Sequence, residues 1–250
     1  LTVFSLRFPA GSAASVIGAW QQWVADAPSE LWSNCVVSGA SSPTCRVGGC
    51  YVGPQSGLDP LLDQLVSAAA TQPTSRTAQT KSYLDAMKYM AGCANDTIAQ
   101  CHPVSEGGLL PREAFVAASR ILDTSLDPQQ ITQLMTGHTG VDLLLDSLGG
   151  EVSRLAPDAT AFPHRSALAS AQIYASTTLA GKAAATATVD TIRDGLGALG
   201  ATGAYVNYID ATLPDWGTAY YGDNLHRLKA VARRYDPDQV FTFPQSVACA

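Results

Sequence analysis

Tyr205-Val206-Asn207-Tyr208-Ile209-Asp210, then Trp216, then Tyr220-Tyr221-Gly222-Asp223-Asn224-Leu225-His226-Arg227-Leu228, form the most informative stretch of this chain. The spacing predicts a strand over 203–209, where successive side chains point to opposite faces. On that reading Tyr205 and Asn207 share one face, and Tyr208 takes the other unless the strand is ending. Buried tyrosine hydroxyls need hydrogen-bond partners, and spacing alone is also satisfied by amphipathic core tyrosines without a chemical role. Beyond them, about 217–235 reads as a final helix with Leu225, Leu228 and Val231 inward.

Working outward, an alanine-rich helix is expected over about 183–199, with Val189, Ile192, Leu196 and Leu199 on one side. It contains Gly195-Leu196-Gly197-Ala198-Leu199-Gly200, formally a GxGxxG. A dinucleotide site needs that pattern after a strand and opening a helix, so that phosphate meets a helix N-terminus. Here it ends a helix, so it reads as a glycine-rich stop. Strands are expected near 139–147, 149–155 and 166–176. Asp127-Pro128-Gln129-Gln130 opens a helix, with Gln130 placed for a capping box. Residues 82–91 and 112–122 read as helices, and the Thr/Ser/Gln-rich stretch 71–81 as a surface loop. Asp59-Pro60 opens another helix, continued by Leu61, Leu62, Leu65 and Val66. Residues 31–39 and 45–53 read as strands around Ser41-Ser42-Pro43, and 1–8 as a strand. Val16, Ile17, Trp20, Trp23 and Val24 fall at helical spacing, with Ser12 as a plausible cap. Strands are grouped and mixed with helices, without repeats or a linker that splits the chain. The expected class is α+β, a largely antiparallel sheet backed by helices.

Hydrophobic residues make up 46% of the 250 positions and charged residues 14%, which allows a sizeable core. The net charge of −6, with no run of five basic residues, disfavours nucleic acid and anionic membranes as partners. No apolar stretch approaches the ~20 residues of a membrane span. Residues 1–8 are too short and too alternating for a signal peptide, and a first residue of Leu suggests a trimmed product of something longer. Six cysteines, Cys35, Cys45, Cys50, Cys93, Cys101 and Cys249, favour an oxidising compartment and so a secreted or cell-envelope protein. Free buried thiols or zinc are the alternatives, although the spacings do not supply a zinc pattern, and no metal is expected. Cys93–Cys101, which would close a short loop, is the favoured pair. The four histidines are scattered, and no GxSxG, HExxH or P-loop occurs, so nothing supports a hydrolase.

Taken together, Y-x-N-Y, the tryptophan, Y-Y-G-x-N-x-x-R-L, Tyr235-Asp236-Pro237 and Phe243-Pro244-Gln245-Ser246 closely resemble the C-terminus of berberine-bridge-enzyme-like flavoproteins of the vanillyl-alcohol-oxidase superfamily. Gly149-Gly150 with Thr160-Ala161-Phe162-Pro163-His164-Arg165 is similar to that family's G-G…F-P-H-R block, whereas 1–135 agrees only in general layout. The resemblance implies a sheet covering the open side of a flavin ring, with a small-molecule substrate between them. It implies hydride transfer from an alcohol, a sugar or a related centre to FAD, and oxygen as the acceptor. It makes Tyr208 the catalytic base, Asp146 its helper and Tyr205 a pocket wall. Asn207 would meet the flavin's polar edge, and Asn224 would help hold the flavin domain. For Asp146 a simple turn carboxylate is the alternative, and His164 and Arg165 read as structural. A phenol with an ordinary pKa near ~10 is a weak base at neutral pH and needs such help.

Departures from the family pattern matter equally. Its FAD-binding domain, which carries the covalent flavin links of many members, has no counterpart in 1–250. The expected layout is therefore a substrate-binding unit over 1–215. A C-terminal helix and tail, 216–250, would pack on an FAD-binding domain or chain supplied from elsewhere. The glutamate base of some plant members falls near Arg154, and the polar residue that sugar oxidases place two before Asp146 is Leu144. The rival reading is a non-catalytic secreted binding module derived from the same scaffold.

Overall fold

The computed structural model has seven strands, β1 (Thr2–Arg7), β2 (Leu31–Ser38), β3 (Thr44–Tyr51), β4 (Ser75–Thr80), β5 (Phe115–Leu122), β6 (Val141–Ser147) and β7 (Ala169–Ser176). Of these, β6 and β7 alternate most regularly in burial, as a half-covered sheet requires. The structure describes residues 1–248 in full and the backbone of Cys249. The sheet order is β4-β1-β3-β2-β6-β7-β5, and every neighbouring pair is antiparallel. In β7, for example, Ala169, Ala171, Ile173 and Ala175 are buried while Ser170, Gln172 and Tyr174 are less so. This is the α+β architecture that the sequence suggests.

The helices are α1 (Ala13–Ala25), α2 (Gln55–Ala69), α3 (Tyr83–Met90), α4 (Pro128–Met135), α5 (Lys182–Ala198), α6 (Trp216–Tyr221) and α7 (Asn224–Tyr235). Four of them, α1, α2, α4 and α5, send Trp20, Leu62, Ile131 and Ile192 into one core with Val37, Leu143 and Ile173 of the sheet. Trp20 is fully buried, and its indole nitrogen donates to Ser33 Oγ at 3.1 Å, which satisfies its one polar atom. Gly49 lets β3 close on Phe4, because a Cβ there would lie 2.8 Å from the Phe4 ring. The other face of the sheet carries Trp32, Asn34, Leu144, Asp146, Gln172 and Tyr174, all partly exposed.

Several expectations need correction. Residues 115–122 are strand β5, not a helix: pairing with β7 along the whole segment overrides its alanine-bearing composition. The stretch read as a loop over 71–81 contains β4, an edge strand exposed on both faces and so without the apolar alternation that marks a strand. Helix α2 begins at Gln55, so Pro60 lies inside it rather than opening it. The acceptor that loses its partner there belongs to exposed Ser56 near the helix start, where solvent can reach it. In place of a strand over 149–155, Gly150 with φ +54° leads into a 3-10 helix at Gly150–Arg154. The expected helix over 217–235 is broken at Gly222 (φ +49°) into α6 and α7, and Val231 is 45% exposed rather than inward. Ser12 precedes α1, but its hydroxyl donates to Pro9 O and does not cap. Asp127 does cap α4, accepting from the Gln129 and Gln130 amides, although the Gln130 side chain reaches the Asp127 carboxylate instead of its N–H.

Cys93 and Cys101 form a disulfide, as favoured from spacing. Cys35 and Cys45 are buried free thiols and Cys50 is a partly buried one. Cys249, counted among the six, has a side chain outside the described residues. Among the described residues no helix is long and apolar enough to cross a membrane, and no cluster of three or more His, Cys, Asp or Glu side chains could hold a metal ion.

Candidate functional site

Register across the centre of the sheet aligns Asn34 of β2, Asp146 of β6, Ser170 of β7 and Ile121 of β5. All four lie on the face that the core helices leave uncovered. The segment 204–213 crosses over this row, and it is not the strand expected over 203–209. It is tied to the sheet by an isolated bridge from Gly203 to Ile121 and by the Tyr205 amide on Ser119 Oγ of β5. Gly203 is required there, since a Cβ would fall 2.7 Å from the His164 ring. Beyond it the Tyr208 amide donates back to Tyr205 O at 2.9 Å, so the chain turns. The turn has a direct chemical result: Tyr205 and Tyr208 meet edge to face at 5.3 Å instead of pointing to opposite faces.

The two tyrosines and Asp146 line one open cavity of about 390 Å³, together with Trp32, Phe162 and Arg165. Phe162 extends the aromatic wall by an edge contact with Tyr205 at 5.8 Å. Burial pushes the Asp146 carboxyl above the ordinary carboxylate value, partly offset by a hydrogen bond from Asn34. The Tyr208 phenol is pushed up by burial first, then by the negative charge of Asp146, then by Tyr205. Asp146 and Tyr208 thus line the same cavity, and the charge of the carboxylate acts on the phenol. The Ser170 hydroxyl, buried at the same cavity, has no hydrogen-bond partner in the structure.

Asn207 stands beside this group, with its amide donating to Tyr205 Oη at 2.7 Å. It faces a second cavity of about 750 Å³ that also touches Tyr208 and lies against Gln172, Lys182 and Thr212. Asn224 is elsewhere. It is buried at the start of α7, and its amide donates to Pro157 O at 2.7 Å and Thr160 O at 3.1 Å. It borders a third, open cavity of about 980 Å³ with His164 and Asp123. Burial lowers the His164 pKa, and its Nε2 is buried without a partner. Arg165 donates to Phe162 O and Thr160 Oγ1 and lies over the Phe162 ring, which braces the 157–165 segment.

The structure thus brings Tyr205, Tyr208 and Asp146 together, where the expected strand would have parted the two tyrosines, and leaves Asn224 apart. Sequence reasoning misses Trp32, Asn34 and Ser170, although the period-two alternation of β2 and β7 would have assigned all three to the uncovered face. The GxGxxG at 195–200 closes α5 and offers no helix N-terminus to a pyrophosphate.

Residues 204–248 match the family model described as berberine and berberine-like. Over 99% of its length the chain is 26% identical to the uncharacterised FAD-linked oxidoreductase YgaK of Bacillus subtilis, 52% of which is covered. It is 28% identical, over 84% of its length, to 44% of the chitooligosaccharide oxidase of Gibberella zeae. Among solved structures, BBE-like 1 of Physcomitrella patens superposes on the whole chain with a TM-score of 0.87 at 24% identity, over 54% of its own length. Berberine bridge enzyme of Eschscholzia californica superposes with a TM-score of 0.81 at 18% identity, which speaks for the fold alone. The chain spans about half the length of the curated relatives it matches. The family match at the C-terminus, relatives named as FAD-linked oxidoreductases and a shared fold agree in what they resemble: residues 204–248 match the berberine and berberine-like model, and the chain as a whole is similar to about half of an FAD-linked oxidoreductase.

Proposed function

We propose that the chain is the substrate-binding half of an FAD-dependent oxidase that removes hydride from a small alcohol, sugar or related centre, with oxygen as the final acceptor. The observation that carries this reading is the meeting of Tyr208 and Asp146 in one cavity, on the sheet face that the core helices leave free. FAD, when bound, supplies the hydride acceptor. The chain's own residues fit the wall that faces such a ring, with aromatic Trp32, Phe162 and Tyr205 around two titratable groups. No phosphate cradle accompanies that wall at 195–200, so the nucleotide end of the cofactor is assigned to a flavin-binding region supplied by another stretch of polypeptide. The segment 216–250 would pack on that region, in keeping with exposed Tyr235, Val240, Phe241 and Phe243. The Cys93–Cys101 disulfide favours work in an oxidising, secreted setting.

In this mechanism Tyr208 Oη receives the proton of the substrate hydroxyl as hydride departs. Asp146, made more basic by burial, takes the proton that Tyr208 releases. Tyr205 orients the substrate against Tyr208 through its ring, and Asn207, which bonds Tyr205 Oη, would meet the polar edge of the flavin. Asn224 holds the 157–165 segment against α7, where the flavin-binding region would dock. Tyr208→Phe in the flavin-loaded full-length protein should slow flavin reduction by ~10²–10⁴-fold, the usual cost of losing a general base. Flavin content should stay the same. Reduction at the wild-type rate, followed by stopped-flow bleaching of the flavin, would reject the assignment.

A further inference from the structure

Arg193 of α5 is 3% exposed, and the acidic partner it reaches outside that helix, Asp210, is 8% exposed. Its Nη1 donates to Asp210 Oδ2 at 2.7 Å, to Asp190 Oδ1 at 2.8 Å and to Thr212 Oγ1 at 2.7 Å. Its Nε donates to Asp194 Oδ1 at 2.9 Å. Arg120 of β5 adds a second layer, donating through Nε to the Arg193 carbonyl at 3.2 Å and through Nη1 to Thr202 O at 3.2 Å. Such a cluster is costly to desolvate, and well-packed apolar side chains of similar size often serve stability as well or better. Its presence is better explained by what it holds in place.

What it holds is the far end of the tyrosine turn. Asp210 lies two residues beyond Tyr208. Its amide donates to Tyr220 Oη at 2.9 Å, and its carbonyl accepts from Gln245 Nε2 at 2.7 Å. At the near end the Tyr205 amide donates to Ser119 Oγ of β5 at 2.9 Å. Between these anchors Ile209 is half exposed, so apolar packing does not fix the segment at that point. The polar anchors decide where the phenol of Tyr208 lies. The charged and titratable groups that share its two cavities are Asp146, Tyr205 and Arg165 in one and Lys182, Asp190 and Asp210 in the other.

We propose that Arg193 is a positioning residue for Tyr208: by gripping Asp210 it sets the turn that holds the phenol beside Asp146. Its part in turnover rests on the reading of Tyr208 as the base, whereas the grip itself is measurable without turnover. The test uses full-length, flavin-loaded protein with ¹³C-labelled tyrosine rings, the Tyr208 signal being identified by its loss in Tyr208→Phe. The double variant Arg193→Met/Asp210→Asn removes both charges together and leaves neither buried alone. It should keep its flavin and its circular dichroism spectrum. The Tyr208 titration midpoint should fall toward the ordinary value near ~10 as the phenol leaves Asp146. Flavin reduction should slow about 10²-fold, as misplacement of a reacting group by ~1 Å does. A folded double variant with an unmoved midpoint overturns the proposal. A moved midpoint with wild-type reduction upholds the grip and overturns Tyr208 as base. Should the double variant not fold, Arg193→Lys decides. A single ammonium cannot reproduce the planar fork, so the midpoint should fall part of the way, and an unmoved midpoint again overturns the proposal.

Discussion

The sheet body and the C-terminal segment are built on different principles. The body buries one continuous apolar cluster between four helices and seven strands. The segment that carries the tyrosines has a small cluster, Ala204, Leu213, Ala219 and Tyr220, with Val206, Trp216 and Tyr221 against it. It is held mainly by directional bonds: the Arg193 cluster, Tyr220 with Asp210, Gln245 with Asp210, and Asn224 with the 157–165 segment. Apolar burial is non-directional and tolerates small shifts, whereas hydrogen bonds fix distance and angle. The body therefore provides stability and the segment provides geometry.

The largest expected effect attacks the body. Trp20→Ala should cost about 3–5 kcal/mol through loss of buried area and creation of a cavity. Chemical denaturation should show the C-terminal segment lost together with the sheet, because the segment rests on β5. Separate transitions, with Trp216 fluorescence changing later than the sheet signal, would break the comparison.

A smaller effect attacks the segment through pH. Burial would raise the Asp210 carboxyl, but its hydrogen bonds from Thr212 and Arg193 outweigh burial and hold it below the usual carboxylate range. A depressed folded value contributes stability that is complete above the unfolded value near ~3.9 and is lost as pH falls through the folded one. Acidification below about pH 4 should therefore weaken the segment. Asp210→Asn should flatten the acid limb of the stability curve measured by urea titration at stepped pH. An acid limb as steep as that of the wild type would show that the charge at 210 is not what holds the segment.

The smallest effect lies at the outer edge of the body. Arg76 of β4 bridges Asp59 and Asp63 of α2 where all three are open to solvent. Arg76→Met should change stability by less than about 1 kcal/mol. A larger loss in thermal melting would mean that the body, too, depends on directional contacts.

This division also explains what was legible in the sequence. Elements with one apolar face were readable: α1, α5, β6 and β7 fall where periodicity puts them, within a few residues. Edge strands were not. β4 is polar on both faces, and the pairing of β5 with β7 is a long-range fact that Phe115–Leu122 does not announce locally. In the site, the resemblance picked out Tyr208, Tyr205 and Asp146 as residues. The strand expected over 203–209 would have separated the tyrosines, because a turn closed by the Tyr208 amide leaves no mark on a period-two pattern. Arg193 carried no sequence signal at all, being one arginine on an amphipathic helix whose partner lies 17 residues away.

The outermost strand, β4, presents Ser75, Arg76, Thr77, Gln79 and Thr80 along a border that no further strand covers among the described residues. Sheets grow sideways when an open border offers a flat apolar ribbon to another molecule, and a hydroxyl-rich ribbon with an ion-paired arginine gives an arriving strand little to bury. Crowded copies are thus given little at that border on which to zip into fibrils.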